Sequence, residues 1–123
     1  MKSRLVNFIA FAAYRLGVVD LFYWLNRRAK RILTFHNVLP DAMFREGIAN
    51  GVSNRLSDFI RIIDECTRRF RFSTDLLDAG TLTITFDDGY RNQYSVAFRE
   101  LRKRGIPACV FVAGDVIGED FGR

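Results

Sequence analysis

The sequence is poor in the residues that hold metals or cross-links: it has one histidine, His36, and two cysteines, Cys66 and Cys109, in 123 residues. A structural zinc site draws four cysteine or histidine ligands, so this set cannot build one. There is no C-x-x-C pair to read as a redox or zinc motif. Both cysteines fall in segments of apolar periodicity, where buried free thiols are expected rather than a disulfide. Also missing is an apolar run of the roughly 20 residues that a spanning helix needs. The segment LVNFIAFAAY, Leu5–Tyr14, is ten residues long, and Arg15 and Asp20 interrupt the apolar residues after it. Lys2 and Arg4 ahead of it fit a signal peptide, but FAAYR is a poor A-x-A cleavage site. The chain has no internal repeat and no low-complexity tract.

Apolar residues make up 49% of the chain, enough for the packed core of one small domain. The formal net charge of +5 is unevenly placed. Residues 1–38 hold seven Lys or Arg (Lys2, Arg4, Arg15, Arg27, Arg28, Lys30 and Arg31) against one acid, Asp20. The remaining residues hold twelve basic and thirteen acidic groups. The high isoelectric point therefore describes an amino-terminal arm. A balanced body argues against a nucleic-acid binder. A basic arm beside apolar residues suits a membrane surface or another anionic partner.

In the arm, Arg4, Asn7 and Arg15 share one stripe of a helical wheel, with Leu5, Phe8, Ile9, Ala12 and Leu16 off it. This predicts an amphipathic helix. Gly17 breaks it, and DLFYWLNRRAKR reads as a second short helix. Packing on the domain and lying on a membrane surface are both open for this pair. RILTFHNV, Arg31–Val38, is β-branched and aromatic and predicts a strand; the loop LPDAMFREGIANGVSN comes next. A helix is predicted from about Ser57, with Phe59, Ile63, Cys66 and Phe70 on its apolar face and the pairs Arg61–Glu65 and Asp64–Arg68 on the solvated side. TLTITF, Thr81–Phe86, alternates as a strand. A helix near Asn92–Arg104 succeeds it, with Tyr94, Ala97, Phe98 and Leu101 as its buried stripe, ended by Gly105 and Pro107. ACVFVAG then reads as a strand buried on both faces. Strand, helix, strand, helix, strand implies parallel pairing in an α/β fold, as one sheet or part of a barrel.

TITFDDGY carries the sharpest signal. Asp87 and Asp88 end a strand, at the carboxyl rim where parallel α/β folds gather polar groups around ligands. His36 ends its own strand and can reach the same rim. Gly89 lets the chain leave the strand sharply, so the two carboxylates can take different tasks, one holding a metal and one acting as a general base. The same residues also suit the plainer role of capping the next helix. Phosphoryl-transfer sites of the D-x-D type need the acids one residue apart, and a calcium loop needs more oxygen ligands than DDGYRNQY offers.

ILTFHNVLPD, LTITFDDGYRNQ and LRKRGIPACVFV, in this order, resemble the amino-terminal half of the polysaccharide deacetylases (NodB-homology domains, carbohydrate esterase family 4), from about Arg31 to Gly118. The resemblance implies a partial (β/α) barrel of parallel strands, deformed and TIM-like, preceded by amphipathic helices over residues 1–30. It implies a metal-dependent hydrolase removing N-acetyl groups from N-acetylglucosamine-type polysaccharide, with zinc as the usual metal. Carried over by motif, Asp87 is the general base and Asp88 a metal ligand. His36, in an aromatic–His pair found in some branches, would fall near the metal, and a satisfied strand-end histidine is the equal alternative. Tyr90 and Arg91 follow the motif, either as residues lining the sugar site or as surface residues at the start of the next helix.

The family's second motif, His-x3-His, supplies two further ligands, and a chain whose one histidine is His36 has no such motif. Barrels of this kind use roughly 200–250 residues. The expectation is therefore a truncated domain, residues 31–123, behind a basic arm, residues 1–30. It would be poorly soluble and inactive alone, with an open sheet edge. A non-catalytic module binding glycan or membrane is the alternative. Reduced-looking cysteines and the lack of a convincing signal sequence lean toward a cytoplasmic or membrane-peripheral location, although the substrates of the family it resembles are often envelope polysaccharides.

Overall fold

The computed structural model describes residues 2–44 and 51–114. Residues 45–50 of the expected loop and the terminal VIGEDFGR lie outside them. The fold is built on TLTITF, whose six residues form a strand buried throughout. Leu82, Ile84 and Phe86 fill a core with Phe35, Val38, Phe59, Ile63, Ala97 and Leu101. The threonines between them are buried as well and must find hydrogen-bond partners there. Thr81 accepts from Lys30 Nζ at 2.7 Å and donates to the Asp78 carbonyl at 2.7 Å. Thr83 donates to the Ser73 carbonyl, and Thr85 to Thr34 Oγ1 at 2.9 Å.

In chain order the elements are α1 (Lys2–Arg15), α2 (Val18–Leu25), β1 (Arg31–Phe35), β2 (Asn37–Leu39), β3 (Ser53–Arg55), α3 (Leu56–Thr67), β4 (Arg71–Phe72), β5 (Thr81–Phe86), a π-helical turn (Gln93–Ala97), α4 (Phe98–Lys103) and β6 (Ala108–Val110). Strand β5 lies at the centre. It pairs along its length with β1, in the register Leu33↔Ile84 and Phe35↔Phe86. Its other edge takes β4 at its start and β6 at its end. All pairings are parallel, as the alternation of strands and helices requires. The strands form an open sheet among the described residues, and no barrel closes there.

The local departures from expectation have physical causes. The predicted strand Arg31–Val38 divides at His36, because β2 leaves β5 and pairs with β3 in a second, two-stranded sheet. On α3, Phe59 and Ile63 are buried as the spacing requires. The predicted Arg61–Glu65 and Asp64–Arg68 pairs do not form. Arg61 bonds Asp58 and Arg68 bonds Glu65, each three residues apart, while Asp64 turns to Arg104 at 2.7 Å. That last bond ties α3 to α4. Tyr94 and Phe98 do not join the buried stripe. The π-helical turn inserts an extra residue and rotates the helix, so that Gln93, Ala97 and Leu101 face the core and Tyr94 is 75% exposed. Strand β6 is not buried on both faces: it is an edge strand, with Val110, Phe111 and Val112 each more than half exposed. The cysteines are free, but only partly buried.

The arm divides at Gly17, in the left-handed conformation at φ 73°. α2 docks on the body through Tyr23 against Phe70, centroids 5.0 Å apart, and through Asp20 to Arg69 at 2.8 Å. α1 leaves Leu5, Val6, Phe8, Ile9 and Phe11 exposed on several sides, so its apolar residues do not form one buried face. No single helix among the described residues is long and apolar enough to cross a membrane; α1 and α2 suffice together in length and composition, but are bent by 68°.

Candidate functional site

The site is set by strand register. Because Phe35 and Phe86 are partners in parallel strands, the residues after them, His36 and Asp87, leave the sheet side by side at its carboxyl rim. The Asp87 amide makes the last bond between the two strands, donating to the Phe35 carbonyl at 3.0 Å. Beneath, the rings of Phe35, Phe86 and Phe59 pack at centroid distances of 4.9–6.2 Å and fix both strand ends on the core. His36 Nε2 stands 3.9 Å from Asp87 Oδ2, and both side chains are 38% exposed. This is ion-pair reach when the imidazole is protonated, and too long for a hydrogen bond. The carboxylate thus keeps its lone pairs free for a proton while remaining open to solvent.

Asp88 goes elsewhere. It adopts φ 72°, the one positive φ outside glycine among the described residues, and Gly89 follows at φ 70°. Two successive left-handed residues swing the chain off the strand, leaving Asp88 exposed. A side chain at Gly89 would also crowd Val112, with Cβ 3.1 Å from Cγ1. The turn separates the two carboxylates, one facing His36 and one on the outer bend. No group of three or more His, Cys, Asp or Glu side chains able to hold a metal occurs among the described residues. His36 and Asp88 offer two donors at most, too few for the three protein ligands of a catalytic zinc. The residues present therefore do not fit a metal centre by themselves.

Tyr90 and Arg91 line an open cavity of about 290 Å³ together with Gly89, Gln93, Tyr94, Phe98, Val110 and Val112. Tyr94 and Phe98 stack there at 5.5 Å, with their planes 10° apart. A larger cavity of about 730 Å³ lies away from the strand ends, between α3 and Tyr14. Its carboxylates, Asp64 and Glu65, are engaged by arginines. Those hydrogen bonds hold both below the usual carboxylate range, which suits structural ion pairs better than chemistry.

Gln93 belongs to the site although its sequence position did not single it out. It is 4% exposed, and its Nε2 donates to the carbonyls of both His36, at 2.7 Å, and Asp87. The available signal was its place on the face of Ala97 and Leu101, one turn and two turns earlier. A polar residue there must be buried and must have partners.

Residues 76–120 match the family model described as Polysaccharide deacetylase. No curated protein matches the chain. Among solved structures, IcaB from Ammonifex degensii is similar at a TM-score of 0.62 and 25% identity. The likeness covers 76% of this chain but 42% of that one, so the chain spans less than half the length of its structural relative. The matched residues contain the whole of β5, the Asp87–Asp88–Gly89 turn, Gln93 and β6. Over residues 76–120 the chain is thus similar to polysaccharide deacetylases, and its fold is similar to that of IcaB over 76% of its length.

Proposed function

We propose that this chain is the amino-terminal part of a hydrolase that removes N-acetyl groups from an N-acetylglucosamine-type polysaccharide, cleaving a carbon–nitrogen bond that is not a peptide bond. The observation that carries the reading is the Asp87 carboxylate, which lies within the family-matched segment at the end of the central parallel strand and stands 3.9 Å from His36 on the neighbouring strand. Asp87 serves as the general base. A water attacking the acetamide carbonyl becomes a better nucleophile as its proton passes to a carboxylate within reach, a contribution of about 10²–10⁴-fold. His36 stands 3.9 Å from that carboxylate on the neighbouring strand end. Tyr90, on the rim of the cavity beside the turn, serves as a sugar contact, since aromatic and polar side chains around an open cleft suit a glycan.

The family's activity is metal-dependent by resemblance, with zinc the usual ion and Asp88 and His36 as ligands. Two donors do not hold a catalytic metal, and the 123-residue chain alone is expected to be inactive. A protein in which residues 31–123 continue into the rest of the domain is the form to assay. There, Asp87→Asn is expected to lower acetate release from N-acetylglucosamine oligomers by at least about a hundredfold. Activity within a few-fold of the parent would remove Asp87 from the role.

A second reading is favoured by the arm. The apolar residues of α1 are exposed beside Arg4 and Arg15, a combination that suits an anionic membrane surface. Residues 1–30 would then seat the domain at a membrane periphery from the cytoplasmic side, whether or not it is catalytic. Co-sedimentation with anionic vesicles tests this, and no binding at low salt would dismiss it.

A further inference from the structure

We infer that Gln93 is the positioning residue of this site, holding His36 and Asp87 in their mutual orientation through their backbone carbonyls. The ladder between β1 and β5 ends with the Asp87 amide on the Phe35 carbonyl. Beyond that bond β1 gives way to β2 and β5 to the Asp88–Gly89 turn, so no strand partner holds the two chains together. Gln93 Nε2 takes over at this point. A carboxamide nitrogen carries two protons, and here one goes to the His36 carbonyl and one to the Asp87 carbonyl. The orientation of the amide is settled by the same network, since a flip would set Oε1 against two carbonyl oxygens. Oε1 is left buried and without a donor among the described residues. An acceptor left unpaired in a protein interior is a cost, and the molecule accepts it here to keep both donors on the two candidate site residues. The π-helical turn that starts at Gln93 is what brings the side chain inward; such turns often occur at functional sites.

The inference rests on the reading of Asp87 as general base for its catalytic consequence, but its geometry can be tested without turnover. His36 is the chain's one histidine, so its ring protons are an unambiguous NMR probe. In the full chain, the Gln93 side-chain amide protons should exchange slowly and show couplings across hydrogen bonds to the His36 and Asp87 carbonyl carbons. Fast exchange without those couplings would overturn the proposal with no variant needed. Gln93→Met keeps the length and removes both donors. It should shift and broaden the His36 ring signals, while Leu101→Val, a core change of the same helix, should leave them in place. Unchanged His36 signals in a folded Gln93→Met protein, or equal changes in both variants, would overturn it. In the protein with the completed domain, Gln93→Met should lower kcat by about ten- to a hundredfold with KM nearly constant, and a loss confined to KM would count against positioning. A protected Gln93 amide in a completed domain that releases no acetate would refute the deacetylase reading and leave Gln93's hold on the two carbonyls standing.

Discussion

Replacing Asp88 by glycine should stabilise this protein, although it deletes a candidate site residue. Asp88 is held at φ 72°, where a side chain meets its own backbone at a cost of about 1–2 kcal/mol, the lower end applying to Asp. Among the described residues its carboxylate makes no hydrogen bond or ion pair that would be lost, since the nearby bonds belong to Asp87, His36 and Gln93. Against the relief stands the greater freedom of glycine in the unfolded chain, about 0.5–1 kcal/mol. The net expectation for Asp88→Gly is about 0–0.5 kcal/mol of added stability, or a rise of at most about 3 °C in Tm for a domain of this size. Asp88→Ala keeps the Cβ and loses the tolerance of Asp for this conformation, so it should be the least stable of the three. Urea unfolding of the three proteins gives the order directly. If Ala equals or exceeds Gly, the turn holds no strain at this position, and Asp88 is there for a fold-related reason. If the order holds, an acidic residue is kept at a position the backbone would give to glycine, which is the mark of a residue retained for function.

Other outcomes can be checked in parallel. Phe59, fully buried between Phe35 and Phe86, should cost about 3–5 kcal/mol on truncation to Ala, enough by calorimetry or urea melts to leave much of the protein unfolded; a loss below about 1 kcal/mol would mean the core beneath the strand ends is loose. Glu100 sits below the usual carboxylate range because Lys103 and Arg104 hydrogen-bond it, and Asp64 because Arg104 does. Their stabilisation is complete above the unfolded carboxylate values, about 4, and is lost as pH falls through the lower folded values. Arg104→Met should therefore destabilise at about pH 7 and converge with the parent in acid, and melting curves that stay parallel from about pH 7 to about pH 3 would contradict this.

The sequence exposed those parts of the molecule that depend on periodicity and turn chemistry. TLTITF was readable as the strand before the site because apolar residues alternate along it, and Gly105 with Pro107 marked the end of the last helix. The fate of the threonines was less accessible. Alternation normally signals a wetted face, yet here Lys30, Ser73 and Thr34 satisfy the hydroxyls and let both faces be buried. The break at His36 could not be read from β-propensity, because it depends on β2 finding β3, a strand drawn from the end of an expected loop. The rotation of Tyr94 to the surface comes from one inserted residue in a π-helical turn, for which the helical wheel has no term. That same rotation hid Gln93, the one buried amide at the rim. Side-by-side placement of His36 and Asp87 depends on a pairing register, which composition does not encode.

The position of β5 in the sheet also fixes the order in which the molecule can assemble. Its principal partner, β1, precedes it by about fifty residues, as the pairing of Arg31 with Leu82 records. Contacts of such separation close large loops before they gain any stabilisation, and they slow folding. Until Phe86 has been synthesised, β1 has no neighbour in its sheet, and only α3 with the small β2–β3 pair can form near it. The arrival of β5 converts these pieces into a sheet in a single event, and the turn bearing Asp87 and Asp88 is the next stretch of chain to emerge. The site thus forms when these two strands dock, so mutations that slow strand docking should delay the site and the fold together.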